Sequence, residues 1–488
     1  MRQLPRPGSS PAAVGPAAAA GGHPTHAVGL RRPASSAQGS ERRSRWVLTA
    51  AAVAALACLL IGLAAALNAG SGGERRTVAP PVRGGATAPL SLTGSSASSI
   101  DALTSRLQSH LRAQPKDARS WAVLGAAYVE QARVSGDASF YPKAEGALDR
   151  SLGIAPTNND SALAGLGALA AGRHDFSRAL QYAKQTIAVN PEGAAAYGVL
   201  SDALTELGRY DEGRVAARRM DDLQPSLASA ARLAYHAELR ADTAAATRLL
   251  SAARAQSESA GEVAFVDEQL GNLAWSTGQL GAANRNYRAA LAAAPQHAPA
   301  MFGLARVRAA RGDIEEAQRL AAQAIARRPQ LEYIAWYGEL LDHAGRRNQA
   351  RNEYALARAT IDLQRAQGVD VDLEAALFEA DHGDATTAVR LARAAYDRRP
   401  SVYAADAFAW TLHVAGHDRS ALEYAGRAMR LGTRNALFSY HKGAIELALG
   451  ERTAARADLG RALALNPYFS PIHAGAARTA LDSLGGAR

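Results

Sequence analysis

Cysteine, lysine and aromatic residues are scarce in this chain, and each scarcity excludes something. Of 488 residues one is cysteine, Cys58. A lone thiol makes no internal disulfide and no cysteine-based metal cage, so the fold stands on packing alone. It does not fix the compartment, because a disulfide-free chain suits either side of a membrane. Lysine occurs only at Lys116, Lys143, Lys184 and Lys442. Arginine in its place, with abundant alanine and glycine, fits a high-GC bacterial genome. No G-x-x-x-x-G-K-[ST] loop, no G-x-S-x-G elbow and no His-Glu-x-x-His is present, so phosphate-loop, serine-hydrolase and zincin chemistries have no motif to rest on. The expectation is a non-enzyme with no cofactor and no metal.

The net charge of +10 suggests nucleic acid until it is located. Residues 1–45 carry seven arginines and one glutamate, residues 68–98 carry Glu74, Arg75, Arg76 and Arg83, and the long remainder is nearly neutral. Without a basic footprint on the large region, no nucleic-acid partner is expected.

The basic residues flank an apolar run. Residues 1–45, rich in Pro, Gly, Ala and Ser, read as a disordered basic tail that cannot bury enough surface to offset its ordering entropy. Val47–Leu67 is an uncharged stretch of 21 residues behind Trp46, long enough at about 1.5 Å per residue to cross a bilayer. Residues 46–67 are therefore expected to form one transmembrane helix. The arginine excess before it predicts a single-pass membrane protein with a cytoplasmic N-terminus and an extracytoplasmic remainder. The run exceeds the apolar core of an ordinary cleaved signal peptide, and Cys58 sits inside it, followed by Leu59-Leu60-Ile61, unlike a lipidated cysteine. Residues 68–98, rich in Gly, Ser, Thr and Pro, read as a flexible linker.

From residue 99 to 488 the pattern is helical throughout. Prolines punctuate it at Pro156, Pro191, Pro225, Pro295, Pro329, Pro400 and Pro467, at intervals near 34 residues or twice that. Within a unit the spacing repeats. Gly271 is followed by Ala283, Tyr287, Ala290 and Pro295; Gly443 by Ala455, Leu459, Ala462 and Pro467. Ala305 and Ala376 open units of the same spacing, and in the unit of Gly338 Asp362 stands where the proline is due. A small residue lets two helices approach, and seven residues later a glycine (Gly208, Gly278, Gly312, Gly345, Gly383, Gly416 or Gly450) is expected to take the left-handed geometry that ends the first helix. The proline closes the second helix. Units open near Gly125, Gly167, Ser201, Ala234, Gly271, Ala305, Gly338, Ala376, Ala409 and Gly443. The first carries about seven extra residues around Ser135–Tyr141, and those at Ala234 and Ala409 lack the proline.

This pattern resembles the tetratricopeptide repeat (TPR) family, most closely at Trp121-Ala-Val-Leu124-Gly125-Ala-Ala-Tyr128. The resemblance covers about 100–470. It implies an all-α, right-handed superhelical solenoid of about ten helical hairpins, with a capping helix from Pro471 to about Leu484 that a solenoid end requires.

The resemblance also implies where a partner sits, because in this family the first helices line a concave groove. The corresponding residues here are Asp202, Glu206, Tyr235, Glu238, Glu268, Asn272, Trp275, Arg306, Glu339, Asp342, His343, Asp406, Trp410 and His413. Their mixture of polar, acidic and aromatic side chains suits anchoring of a protein or peptide; Trp275 and Trp410 equally suit gap-filling between hairpins. The Lys/Asn clamp that some members use for a C-terminal carboxylate is missing, since Glu268 stands where lysine is needed beside Asn272. His174, His343, His382 and His417 fall at turns and read as solvated. The chain is thus expected to be a membrane-anchored, non-catalytic interaction scaffold for a protein or peptide partner, extracytoplasmic or membrane-bound. An accessory or regulatory subunit of an envelope enzyme or transport system is the other reading.

Overall fold

The computed structural model describes residues 97–485, all of which fall in the unit spanning Leu48–Arg488. It is an all-helical array of 22 helices. A first helix, α1 (Ala97–Ala113), precedes ten hairpins. These are α2 (Ala118–Ser135) with α3 (Phe140–Ile154), α4 (Asp160–Gly172) with α5 (Phe176–Val189), α6 (Ala194–Glu206) with α7 (Tyr210–Leu223), α8 (Leu227–Leu239) with α9 (Thr243–Gln256), and α10 (Ala260–Ser276) with α11 (Leu280–Ala293). The series continues with α12 (Ala298–Ala310) and α13 (Ile314–Arg327), α14 (Leu331–His343) and α15 (Arg347–Ala366), α16 (Asp372–His382) and α17 (Ala385–Arg398), α18 (Val402–Val414) and α19 (Asp418–Ala428), and α20 (Ala436–Ala448) and α21 (Arg452–Leu465). The last helix, α22 (His473–Gly485), covers α20 and α21 as a cap.

The ten small residues that open the units all lie on first helices, where close approach needs them. A Cβ on Gly271 would meet the Tyr287 ring at 2.6 Å, and one on Gly338 would meet Tyr354 at 2.5 Å. Size is exchanged across this crossing. Gly443 faces Leu459, whereas Ala305 and Ala376 lie sixteen residues before Ala321 and Ala392. Tyr287 is fully buried, wedged between Gly271 of its own hairpin and Gly303 of the next; burying such a ring is worth roughly 2–3 kcal/mol.

The hairpin turns follow the expected chemistry with one correction. Gly208, Gly278, Gly312, Gly345, Gly416 and Gly450 have positive φ, but Gly383 has φ −143° and ends α16 in an extended conformation instead. In two units a side chain occupies the left-handed position: His174 with φ 62° and Ala241 with φ 61°. In the first unit the extra residues lengthen α2 to Ser135, and Gly136 takes the left-handed role. Where Asp362 replaces the proline, nothing stops the second helix, and α15 runs on to Ala366.

First helices of successive hairpins pack on one another, α2 on α4, α4 on α6, α16 on α18, and second helices do so far less. The first helices therefore form the narrow inner layer. They are buried nearly all round, as α6 and α18 show. The second helices bury only an alanine-rich stripe, such as Ala388, Leu391, Ala392 and Ala395 on α17.

The array coils back onto itself. The Val402 amide donates to the Tyr210 hydroxyl (2.7 Å), the Thr433 hydroxyl to the Leu239 carbonyl (2.6 Å), and the Asn466 amide to the Trp275 carbonyl (2.8 Å). The Asp370 amide donates to the Arg173 carbonyl (2.9 Å), and His174 Nδ1 lies 2.7 Å from the Asp370 carbonyl. Each contact joins a hairpin turn to the link between hairpins that lies eleven helices later. One superhelical turn is thus five and a half hairpins, and successive turns are stitched along a continuous seam.

The expected membrane span is corrected. Among the described residues no helix is long and apolar enough to cross a membrane. The longest, α15, carries Arg347, Arg351, Glu353, Arg358, Asp362 and Arg365, charges too costly to place in hydrocarbon. Residues 46–67, for which the span was expected, lie outside the described residues, as do the tail at 1–45 and all of the 68–98 linker before Ala97. The expected single-pass placement, with the N-terminus inside and the repeats outside, has no spanning helix among the described residues to support it.

Candidate functional site

The inner layer gathers the polar residues expected there, but much of it is closed by the coil's tightness. Three groups form.

In the first, Asp202 on α6 holds Arg232 on α8 through two bonds, 2.8 Å from Nε and 2.5 Å from Nη2. Both side chains are buried. Burial pushes the Asp202 carboxyl up against the pull of Arg232. Glu206, at the end of α6, is buried at the seam, facing Arg399 and Glu374 from the next superhelical turn. Burial pushes its carboxyl up to about 7. Glu238 on α8 is half-buried and is raised to about 7 by burial alone. Tyr235 is half-buried beside the cluster of Tyr210, Leu239 and Val402.

In the second, Glu268 on α10 is buried, accepts from Gln269 (2.8 Å) and from Asn272, and is pushed up to about 7 by burial. Asn272 Oδ1 in turn accepts from the Tyr287 hydroxyl (2.7 Å) and from Arg306 (3.1 Å). The Arg306 guanidinium lies over the faces of Trp275 (5.2 Å) and Phe302 (5.0 Å). Such contacts contribute most when desolvated.

In the third, the Trp410 indole donates to Asp381 (2.8 Å) and stacks on His441 at 4.3 Å. His441 pairs with Asp406 at 3.0 Å, and His473 of the cap reaches Asp381 at 3.3 Å. Glu339 pairs with His382 at 3.1 Å. His413 lies 2.5 Å from Asp418. Asp342 and His343 are exposed at the end of α14.

Of the fourteen groove residues, Asp202, Glu206, Glu268, Trp275, Asp406 and Trp410 are buried in the protein's own contacts. Tyr235, Glu238, Asn272, Arg306, Glu339 and His413 are partly reachable, and Asp342 and His343 are open. The two tryptophans fill gaps between hairpins. Among the turn histidines, His343 and His417 are exposed as expected, but His174 and His382 are not: His174 is buried at the seam and His382 stacks on Tyr354. Among the described residues no group of three His, Cys, Asp or Glu is placed to hold a metal.

Sequence reading missed Arg232, Arg399 and His441. A signal existed for two of them. Arg232 follows Asp202, and His441 follows Asp406, by about one repeat length, so that neighbouring first helices bring complementary groups together. Arg399 faces Glu206 through superhelical curvature and left no such mark, whereas Asp381 meets Trp410 of the next hairpin.

Residues 164–228 and residues 274–335 match profiles of the tetratricopeptide repeat. No curated protein matches the chain. Among solved structures, a human IFIT1 dimer with m7Gppp-AAAA is similar at 16% identity over 64% of this chain and 72% of that one, with TM-score 0.43. The APC/C heterotetramer Cut9–Hcn1 is similar at 12% identity over 79% and 93%, with TM-score 0.36. The P58(IPK) TPR domain is similar at 14% identity over 76% and 97%, with TM-score 0.25. The two profile matches show tetratricopeptide repeats at residues 164–228 and 274–335.

Proposed function

We propose that this chain is a non-catalytic interaction scaffold that takes a protein or peptide partner on the reachable part of its inner layer. The observation that supports this reading is the line of half-buried polar side chains along the inner layer: Tyr235 and Glu238 on α8, Asn272 on α10, Arg306 on α12 and Glu339 on α14. They lie on consecutive first helices, so a peptide running along the layer meets one or two of them per hairpin. Glu238 carries the argument furthest. Its carboxyl is desolvated with no charge among the described residues compensating it, and a cationic group from a partner would relieve that cost.

The test is affinity capture from a lysate of the source cell, using the wild-type chain and the Tyr235→Ala/Glu238→Gln variant. A partner recovered by the first and lost with the second supports the reading. Identical recovery by both, with both folded by circular dichroism, sinks it.

A further inference from the structure

The near-neutral total of the repeat region hides a partial sorting of charge between the two layers, broken at inner α12, which carries Arg306 and Arg308 and no carboxylate, and at outer α7, which carries four carboxylates against three arginines. The inner helices α4, α6, α10, α14, α16 and α18 carry aspartates and glutamates and no lysine or arginine. The outer helices α5, α9 and α11 are the reverse: each carries two basic residues and no carboxylate.

The outer basic residues are in register. Measured from the small residue that opens each unit, Arg248, Arg285, Arg319 and Arg390 stand fourteen residues on, and Lys184, Arg218, Arg288 and Arg393 seventeen on. A spacing of three puts the two positions on one stripe of the second helix. All eight are exposed. Five consecutive outer helices, α5, α7, α9, α11 and α13, each present at least one. Arg319 is held by Glu316 at 2.6 Å. Lys184, Arg218, Arg248, Arg285 and Arg288 have no ion-pair partner among the described residues. Exposed carboxylates lie near two of them: Asp222 is one turn beyond Arg218, and Lys184 helps to lower the Glu212 carboxyl on α7.

The stripe also carries apolar surface. Val215 occupies the fourteenth position of its unit and is 62% exposed, the most exposed large apolar side chain among the described residues; Val189 at the end of α5 is also exposed. No phenylalanine or tryptophan is exposed there to stack on bases, which a single-stranded nucleic acid site needs. We infer that the outer stripe from Lys184 to Arg288 is a second docking surface, and that it fits an acidic polypeptide segment with apolar residues interspersed among its carboxylates. Arginines stepping from hairpin to hairpin match the carboxylates of an extended or helical chain laid across the second helices, and Val215 accepts an apolar side chain. The assignment is independent of the inner-layer reading, since the two surfaces share no residue.

The full chain is titrated by fluorescence anisotropy against a labelled peptide of Glu-Glu-Leu repeats, in salt near 0.15 M, where charges beyond about 8 Å are screened. The expected result is saturable binding that weakens as salt rises. Arg248→Glu/Arg285→Glu/Arg288→Glu weakens it about tenfold or more, a loss of the size that close interfacial charge pairs produce. Val215→Ser weakens it by a smaller factor. Arg311→Glu/Arg351→Glu/Arg419→Glu makes the same change in net charge at exposed positions off the stripe and leaves the affinity unchanged. Circular dichroism melting establishes that each variant is folded. Failure of the wild type to bind overturns the proposal. So does equal weakening by the off-stripe variant, or equal affinity for an oligothymidylate of matching charge.

Discussion

The Tyr210 hydroxyl accepts a 2.7 Å hydrogen bond from the amide of Val402, a residue 192 positions later in the chain. Tyr210 opens the second helix of one hairpin, and Val402 opens the first helix of a hairpin a full superhelical turn away. The bond lies among Leu239, Ala405, Ala428 and Phe438, all buried. It is one stitch of the seam that fixes the coil at eleven helices per turn.

Tyr210→Phe keeps the ring and deletes the acceptor, leaving the Val402 amide buried without a partner. An orphaned buried donor costs about 1–3 kcal/mol. The expected outcome is a lower unfolding midpoint and loss of hydrogen-exchange protection at Val402, with protection retained in α2 to α5. Uniform loss of protection along the array would show that the seam is not a separable element.

Two turn residues should respond in opposite directions. Ala241 holds φ 61° without being glycine, so Ala241→Gly is expected to stabilise by about 1 kcal/mol. Gly208 has φ +73°, and a Cβ there would lie 2.5 Å from the Pro400 carbonyl across the seam. Gly208→Ala is expected to destabilise by more than that. Thermal melts of both variants check the pair.

The inner carboxylates set a pH dependence. Glu206, Glu238 and Glu268 are all raised to about 7, above the unfolded value of about 4.3. Below that unfolded value both states are protonated and these groups contribute nothing. Between there and about 7 the unfolded chain has released protons that the folded chain keeps, so stability falls as pH rises through this window. Above about 7 the cost is constant. Glu238→Gln, which replaces a group raised by burial alone, is expected to flatten the slope of unfolding midpoint against pH. An unchanged slope would mean that Glu238 is solvated.

The buried pair of Asp202 and Arg232 should show strong coupling. Arg232→Met leaves the Asp202 carboxyl buried without its cation, at a cost of about 3–5 kcal/mol. Adding Asp202→Leu removes the orphaned charge, and the double variant is expected to recover most of that loss. A double-mutant cycle in denaturant measures it; additive effects would contradict the pairing.

Much of this architecture is legible in the chain because each hairpin is a local object. Gly271 with Tyr287, a proline closing most units and a glycine at most turns specify a hairpin through contacts within one repeat, so the ten units and the cap fall where the spacing places them. Even departures have local causes, such as Asp362 letting α15 run on. The register of arginines on the second helices is likewise written in the sequence, though the near-zero total charge conceals it.

The tertiary structure alone decided how tightly the array coils. The rotation per hairpin comes from side-chain volumes at every helix contact, and only its sum over eleven helices brings Asp370 to His174 and Asn466 to Trp275. No periodicity relates residues some 190 positions apart, so nothing in the sequence marked Glu206, Trp275 or His174 as buried rather than open to a partner. The repeat belongs to the sequence because its contacts are near in the chain. The seam, and with it the burial of Glu206 and His174, belongs to the fold because those contacts form only after curvature has accumulated.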